Sequence, residues 1–318
     1  SLVFAWPALM LVALLSTSAD TSSLALSAGA GATGGGGAVS GGAGAVVVKR
    51  PGMSNYHLLV LSTAVVAGSS TPVAGASLSF ASITVHGGWL GFDAGSVVSA
   101  SGLLTSSGTS KVAFSTLAVS GLSVPAGSSI LNGSFLNLTA DGAALAANST
   151  TTINALVLDV QAGGLNVGAG AVLGPNLSTM AFASGQGLTA AAGGTVIQST
   201  TTRLNVRGNV TFQSGALLTH TANTATRANV VNMSVTGNFD LQAGSSITLD
   251  GRGYANGNPG FGPGGGGSYI SGGGGGHGGR GGDSSDGTAF GGASYDSLSD
   301  PTDLGSGGGD GGSGATGG

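Results

Sequence analysis

The chain has 318 residues, a formal net charge of −4 and no cysteine. Disulfide bridges and cysteine-based zinc or redox centres are therefore excluded, and no basic patch is available to neutralise the phosphates of a nucleic acid. Charged residues make up 6% of the chain, and every acid is an aspartate, where an ordinary globular domain is about 25% charged. Ala, Gly, Ser and Thr fill the vacated positions. Strong helix formers are scarce while Gly, Val and Thr are plentiful, which favours strands and turns.

The first segment, Ser1 to Ala19, reads as a signal peptide. Its apolar stretch, Leu2 to Leu15, contains Pro7 and is shorter than the ~20 residues that span a bilayer. Small residues follow, with Thr17 and Ala19 placed as at a cleavage site. The mature chain is expected to begin near Asp20, with no transmembrane span. The competing reading is a first buried element of the fold. Residues 20–45 are an Ala/Gly/Ser-rich linker without apolar periodicity.

From 46 to 250 one pattern recurs: apolar, any, apolar, any, small, Gly, any, any, apolar. It appears as LGFDAGSVV from Leu90, LSVPAGSSI from Leu122, LNVGAGAVL from Leu165, LTAAAGGTV from Leu188, VTFQSGALL from Val210 and FDLQAGSSI from Phe239. A looser seventh copy is LNLTADGAAL from Leu136. A second element, apolar-x-Val-x-Gly, often precedes the first, as at Ile83/Val85/Gly87 and Leu204/Val206/Gly208. The period of two places one set of side chains inward, and the small-Gly pair suits a corner with positive φ. The motif glycines, 95, 127, 170, 193, 215 and 244, are spaced 32, 43, 23, 22 and 29 apart, in the range of solenoid turns of about 20–45 residues. The interval of 43 fits two turns or one with an insertion. The expected fold is all-β, a right-handed parallel β-helix or β-solenoid, with Leu165, Val167, Val210, Phe212, Phe239 and Leu241 facing one core. An all-β sandwich is the alternative.

Residues 251–318 hold 30 glycines and form a glycine-rich irregular segment whose composition favours disorder. Tyr254, Phe261, Tyr269, Phe290 and Tyr295 punctuate it, which a plain linker does not need. The passage from SITLDGRGY through GPGGGG, GGGHGGRGG and GGASYDSLSDPTDLGSGGG resembles a module of very large, glycine-rich, adhesin-like parallel β-helix surface proteins. The resemblance covers Ser246 to the end, and His277–Arg280 and Pro301–Gly305 are its most distinctive words. It implies an extracellular or cell-surface location more than an activity. Such modules continue into a further strand, so the chain reads as a fragment with an open end, prone to aggregate in isolation.

Candidate sites are few. In the motif's second column stand Gly91, Ser123, Asn166, Thr189, Thr211 and Asp240, and in its fourth Asp93, Pro125, Gly168, Ala191, Gln213 and Gln242. Neither column brings two acids together for acid–base catalysis or calcium. Asp240 and Asp250 are expected to form surface pairs with Arg207 or Arg252. His57, His86, His220 and His277 lack metal-ligand spacing, and no G-x-S-x-G elbow marks a nucleophile. Asp283, Asp286, Asp296, Asp300, Asp303 and Asp310 leave calcium open beside simple Asx-turn duty. Six N-x-S/T sequons stand at Asn132, Asn137, Asn148, Asn176, Asn209 and Asn232. The Thr runs at 150–152 and 200–202 form no regular ice-binding ladder. The expectation is a non-catalytic, secreted or cell-surface structural or adhesin-like protein without cofactor, with cell-surface glycans or matrix proteins as partners. A carbohydrate-active β-helix enzyme or carbohydrate-binding module is the alternative.

Overall fold

The computed structural model describes residues 11–14, 45–49, 56–61, 71–297 and 299–311. Most of the expected signal peptide and of the 20–45 linker lies outside these residues; within the former, Leu11–Leu14 is a strand paired in parallel with Val46–Lys49. The described residues contain no helix. They fall into two compact units.

The first unit comprises Ser1–Val196, Thr202–Leu217 and Met233–Ser246. It is a parallel β-solenoid. Each turn contributes three strand segments, and each segment hydrogen-bonds to its equivalent one turn away. Among the described pairings of this unit, only Ala45–Lys49 against Tyr56–Leu61 is antiparallel. The register on the first face runs Leu122, Ala143, Leu165, Leu188, Val210, Phe239. Two residues on, Val124, Leu145, Val167, Ala190, Phe212 and Leu241 form a second column. Members of the first column lie 21 to 23 residues apart as far as Val210, and 29 apart at the last step. The second face stacks Leu90, Val112, Leu131 and Ile153; the third stacks Val98, Leu117, Leu136, Leu158, Met180 and Val206. All of these second- and third-face residues are buried. Burial of each large aliphatic side chain contributes roughly 1.5–3 kcal/mol, and stacking makes one continuous core from turns that have none alone.

Three expectations need correction. The LGFDAGSVV copy does not stack on the other five: Leu90 and Phe92 belong to the second face, and Gly95 turns the chain into the third. The seventh copy begins at Ala143, seven residues after Leu136, because Ala143 pairs with Leu165. Its corner residue is Asn148, with φ +60°, so the 43-residue interval between glycines is two full turns. Asparagine is among the few side chains that tolerate this left-handed conformation, which is why a search for glycine passes over it. Finally, Val210 and Phe212 are fully buried, but Phe239 and Leu241 remain 41% and 42% exposed. Both occupy the inward columns of the turn at Phe239–Leu241, beyond which no described strand of the unit stacks on them.

All six motif glycines have positive φ, between +68° and +87°. They are not equally constrained. At Gly127 an added Cβ would lie 2.3 Å from the Gly108 carbonyl oxygen, whereas at Gly95 nothing lies within 4 Å.

The interior also holds a polar column. Ser110, Ser129 and Thr151 are stacked neighbours on inward positions, succeeded by Leu173 and Val196. Ser110 Oγ bonds Ser106 Oγ at 2.6 Å and Ser129 Oγ at 3.2 Å. Thr151 Oγ1 is buried without a partner.

The second unit comprises Ile197–Thr201, Leu218–Asn232 and Ile247–Gly318. Its glycine-rich part carries only isolated bridges, yet its backbone hydrogen bonds are ordered. The Gly273 and Gly276 N–H groups donate to the carbonyls of Gly267 and Gly264. On the other side, Gly309 and Ser306 donate to the carbonyls of Gly273 and Gly276. Partners step by three residues in opposite chain directions, so these segments run antiparallel and satisfy their backbone groups laterally. The segments touch backbone to backbone: a Cβ at Gly272 would lie 1.7 Å from the Gly309 oxygen, and one at Gly292 1.8 Å from the Gly264 oxygen. The glycines are therefore packing residues. Composition alone, which favours disorder, carries no information about that lateral pairing.

Two stability predictions follow from these contacts. Gly95→Ala and Gly127→Ala share a left-handed backbone cost of roughly 1–2 kcal/mol, and Gly127→Ala should lose about 1–3 kcal/mol more through overpacking. Equal urea midpoints for the two variants would contradict this. Thr151→Val removes an unpartnered buried hydroxyl, which costs about 1–3 kcal/mol, and keeps the shape. It should raise stability by about 1 kcal/mol in the same assay.

Candidate functional site

Parallel register turns each outward position into a column with a spacing of about 4.8 Å. On the first face this column is Ser123, Ala144, Asn166, Thr189, Thr211 and Asp240. Gly91 and Asp93 belong to another face, so the expected columns change membership, and Asp240 remains the one acid among these six. Beside it run the small residues Pro125, Ala146, Gly168 and Ala191. Because they barely rise above the sheet, a shallow depression of about 370 Å³ opens there, lined by Ser123, Asn166, Thr189 and Gln213 together with this small-residue floor. Val124, Ala144, Leu145 and Val167 complete a mostly apolar lining, in which Ser123, Asn166, Thr189 and Gln213 supply the hydroxyl and amide groups and no ionised group is present. Chemically the trough can hydrogen-bond a neutral polyhydroxylated chain; it holds no acid–base pair.

A second ladder lies on the outer side of the second face. Asn154 Nδ2 donates to Asn132 Oδ1 and Asn176 Nδ2 to Asn154 Oδ1, both at 2.7 Å. The histidines of the early turns join similar contacts: His57 Nδ1 lies 2.7 Å from Ser82 Oγ, and His86 Nδ1 lies 2.9 Å from Ser107 Oγ. Lys111 places its ammonium 3.9 Å from the centre of the Trp89 ring, as direct stacking of those two positions requires. Sequence reading missed the asparagine ladder and the Trp89–Lys111 contact, since neither is visible until the turns are in register.

Asp240 Oδ2 accepts from Gln242 Nε2 at 3.2 Å, and Arg252 donates to the His220 carbonyl at 2.8 Å. Among the described residues neither forms the expected pair, and Arg207 and Asp250 take no part in an ion pair. His220 is buried, its Nδ1 2.8 Å from the Thr221 carbonyl.

In the second unit the aspartates hold loops. Asp296 Oδ2 accepts the N–H groups of Asp303 at 2.6 Å and Thr302 at 2.8 Å, and Oδ1 that of Ser297 at 2.8 Å. His277 Nε2 stands 3.3 Å from the same carboxylate, and its ring meets Tyr295 edge-on at 5.0 Å. Asp286 accepts from the hydroxyls of Ser271, Ser284 and Thr288. Asp283 accepts from the Gly291 N–H and from Arg280. Asp303 receives the Tyr254 hydroxyl at 3.2 Å and lies 4.0 Å from Arg227. Asp310 receives the Asn256 amide at 2.8 Å. Five of the six carboxylates are thus met by protein donors, Asp286 alone in the Asx-turn pattern, on the Thr288 N–H, while Asp300 is held through its own N–H on Ser297 Oγ at 3.0 Å; no three acids or histidines among the described residues group as metal ligands. Tyr254 and Tyr295, which sequence reading marked only as unexplained aromatics, anchor the loop through their hydroxyls. Burial raises both phenol pKa values, Asp303 adding to the effect on Tyr254.

The chain matches no protein family, no curated protein and no solved structure with which it was compared.

The loop around Asp296 should be acid-sensitive. Hydrogen bonds from the Asp303 and Ser297 N–H groups foremost, then Thr302 and His277, lower this carboxyl to about 2, against an unfolded value of about 3.9. A group depressed on folding contributes fully above its unfolded pKa and loses that contribution as pH falls through the folded one. Protection of the Ser297, Thr302 and Asp303 amides, measured against their intrinsic exchange rates at each pH, should therefore fall between about pH 4 and pH 2. Asp296→Asn should abolish this loss of protection; protection factors constant across that window in the wild-type chain would overturn the assignment.

Proposed function

We propose that this chain is a non-catalytic, secreted or cell-surface structural protein of adhesin-like character, whose stacked sheet serves as a spacer and whose outer face contacts glycans. The observation that carries the reading is the trough on the first face. It is neutral and mostly apolar, floored by Pro, Ala, Gly, Val and Leu residues, with Ser123, Asn166, Thr189 and Gln213 as its hydrogen-bonding groups, and Ala144 is the one gap in the column from Ser123 to Thr189. A linear polysaccharide offers hydroxyls to those groups. The charge-poor exterior and the resemblance of the segment after Ser246 to glycine-rich surface modules support the same location.

The test is calorimetric titration with soluble plant and bacterial polysaccharides, followed by analysis of the polymer for new reducing or unsaturated ends. Ala146→Trp places an indole in the trough at an exposed position and should weaken polysaccharide binding at least tenfold, a loss of about 1.4 kcal/mol, with an unchanged melting curve. Release of new ends would overturn the non-catalytic reading. Binding that is indifferent to Ala146→Trp would remove the trough from it.

A further inference from the structure

Six sequons stand in the sequence, and the fold treats them differently. We infer that Asn148 is an N-glycosylation site, and that it is the sequon of this set that the folded solenoid can carry in modified form. This inference rests on the extracellular reading above.

Asn132 and Asn176 are the two ends of the asparagine ladder, half-buried and bonded through their amides to Asn154. A sugar on either would have to fit into a sheet surface whose neighbouring chains run about 4.8 Å away. Asn137 is half-buried with its Oδ1 enclosed. Asn209 Oδ1 accepts the Asn238 N–H at 3.0 Å, across the step to the next turn. Asn232 is half-buried, with its own N–H and carbonyl both bonded to the Gln198 side chain.

Asn148 differs on each count. It is exposed, stands on a corner with φ +60°, and forms no side-chain hydrogen bond among the described residues. Its backbone is held independently: the Asn148 N–H donates to the Ala169 carbonyl at 3.2 Å, and the next residue, Ser149, is buried with its hydroxyl on the Ala146 carbonyl at 2.8 Å. The sequon's hydroxyl residue, Thr150, is exposed. Asn148 Oδ1 lies against the Gly170 corner of the next turn, 2.6 Å from where a Cβ there would stand, and a glycan on Nδ2 breaks no bond of the asparagine ladder.

The donor is a lipid-diphosphate-linked oligosaccharide. Asn148 Nδ2 forms a bond to the sugar C1 and loses a proton, and the C1–oxygen bond to the lipid diphosphate breaks, releasing that diphosphate. Transfer precedes folding, so the structure acts as a filter: a sugar on Asn176 sits on the ladder's donor nitrogen and one on Asn132 sits beside the Oδ1 that accepts from Asn154, and such crowded chains fold and are exported less.

The experiment expresses the full chain behind a host secretion signal in a eukaryotic secretory line. Secreted material is treated with peptide N-glycosidase in heavy-oxygen water, and the labelled asparagines are read by mass spectrometry. The expected result is label at Asn148, less at Asn132 or Asn176, and loss of the glycan mobility shift in both Thr150→Ala and Asn148→Gly. The glycine variant keeps the left-handed corner, so its loss of shift is not a folding defect. Secreted protein bare at Asn148, or labelled equally at Asn132 and Asn176, overturns the inference. Because the host signal supplies entry, a bare Asn148 counts against this inference alone. Failure of the chain's own Ser1–Ala19 segment to direct secretion, in a parallel expression without the host signal, counts against the extracellular reading instead.

Discussion

In-register parallel hydrogen bonding between successive turns is the constraint from which the rest of the first unit follows. Once Leu165 lies over Ala143 and under Leu188, every residue of a turn is committed to a neighbour of the same kind of environment on each side. Inward columns must be apolar, or polar in a way that the column itself satisfies. Ser106, Ser110 and Ser129 meet that condition by bonding to one another. At Thr151 the hydroxyl column ends under Leu173, and the last hydroxyl is left without a partner. The same constraint makes the last turn apolar and exposed at Phe239 and Leu241, because a column position is chosen for a neighbour above as well as below.

The architecture was legible in the sequence because this constraint writes a period. Alternation of two gives inward and outward faces, and a residue with positive φ at each corner gives the turn length. Both signals are local. What they cannot convey is which face a copy belongs to. LGFDAGSVV and LSVPAGSSI obey the same rule, apolar alternation before a left-handed corner, yet one leads into the third face and the other into the second. Asn148 shows the converse: the geometry is conserved within the fold while the residue type changes, so a motif written around glycine skips a turn. The outer ladder was illegible for a related reason. Asn132, Asn154 and Asn176 are separated by 22 residues each, and only the true register, offset by Asn148, lines them up.

The glycine-rich segment inverts the usual argument from composition. Few apolar side chains normally mean too little buried area to offset chain entropy. Here glycine supplies something else, an approach between backbones that any Cβ would prevent. Gly273 and Gly276 can serve carbonyls and N–H groups of two neighbouring segments at once because no side chain stands between them. Sparse anchors then fix the ends: Tyr295 on Leu304 and Ser306, Tyr254 on Asp303, Asp296 on the N–H groups of Ser297, Thr302 and Asp303. Glycine content alone does not distinguish this arrangement from a flexible linker; the spaced tyrosines and aspartates do, since a linker gives them nothing to bond.

Stacking also accounts for the shortage of charge, without appeal to the environment. Two like charges about 4.8 Å apart repel by roughly 1 kcal/mol even in water, and in a column that repulsion recurs at every step. A solenoid with charged columns would accumulate it in proportion to its length. Amides and hydroxyls carry donor and acceptor together, so members of a column can serve one another, as Asn132, Asn154 and Asn176 do through two links, leaving only an end group such as Asn176 Oδ1 without a partner. Charge survives where the column isolates it: Asp240 follows Thr211, and Lys111 stands between Trp89 and Ile130. A surface of Ser, Thr and Asn is thus the solution that parallel stacking itself imposes. It leaves hydroxyls and amides as the commonest hydrogen-bonding groups of the outer columns, beside isolated charges such as Asp240 and exposed apolar side chains such as Phe135 and Leu156.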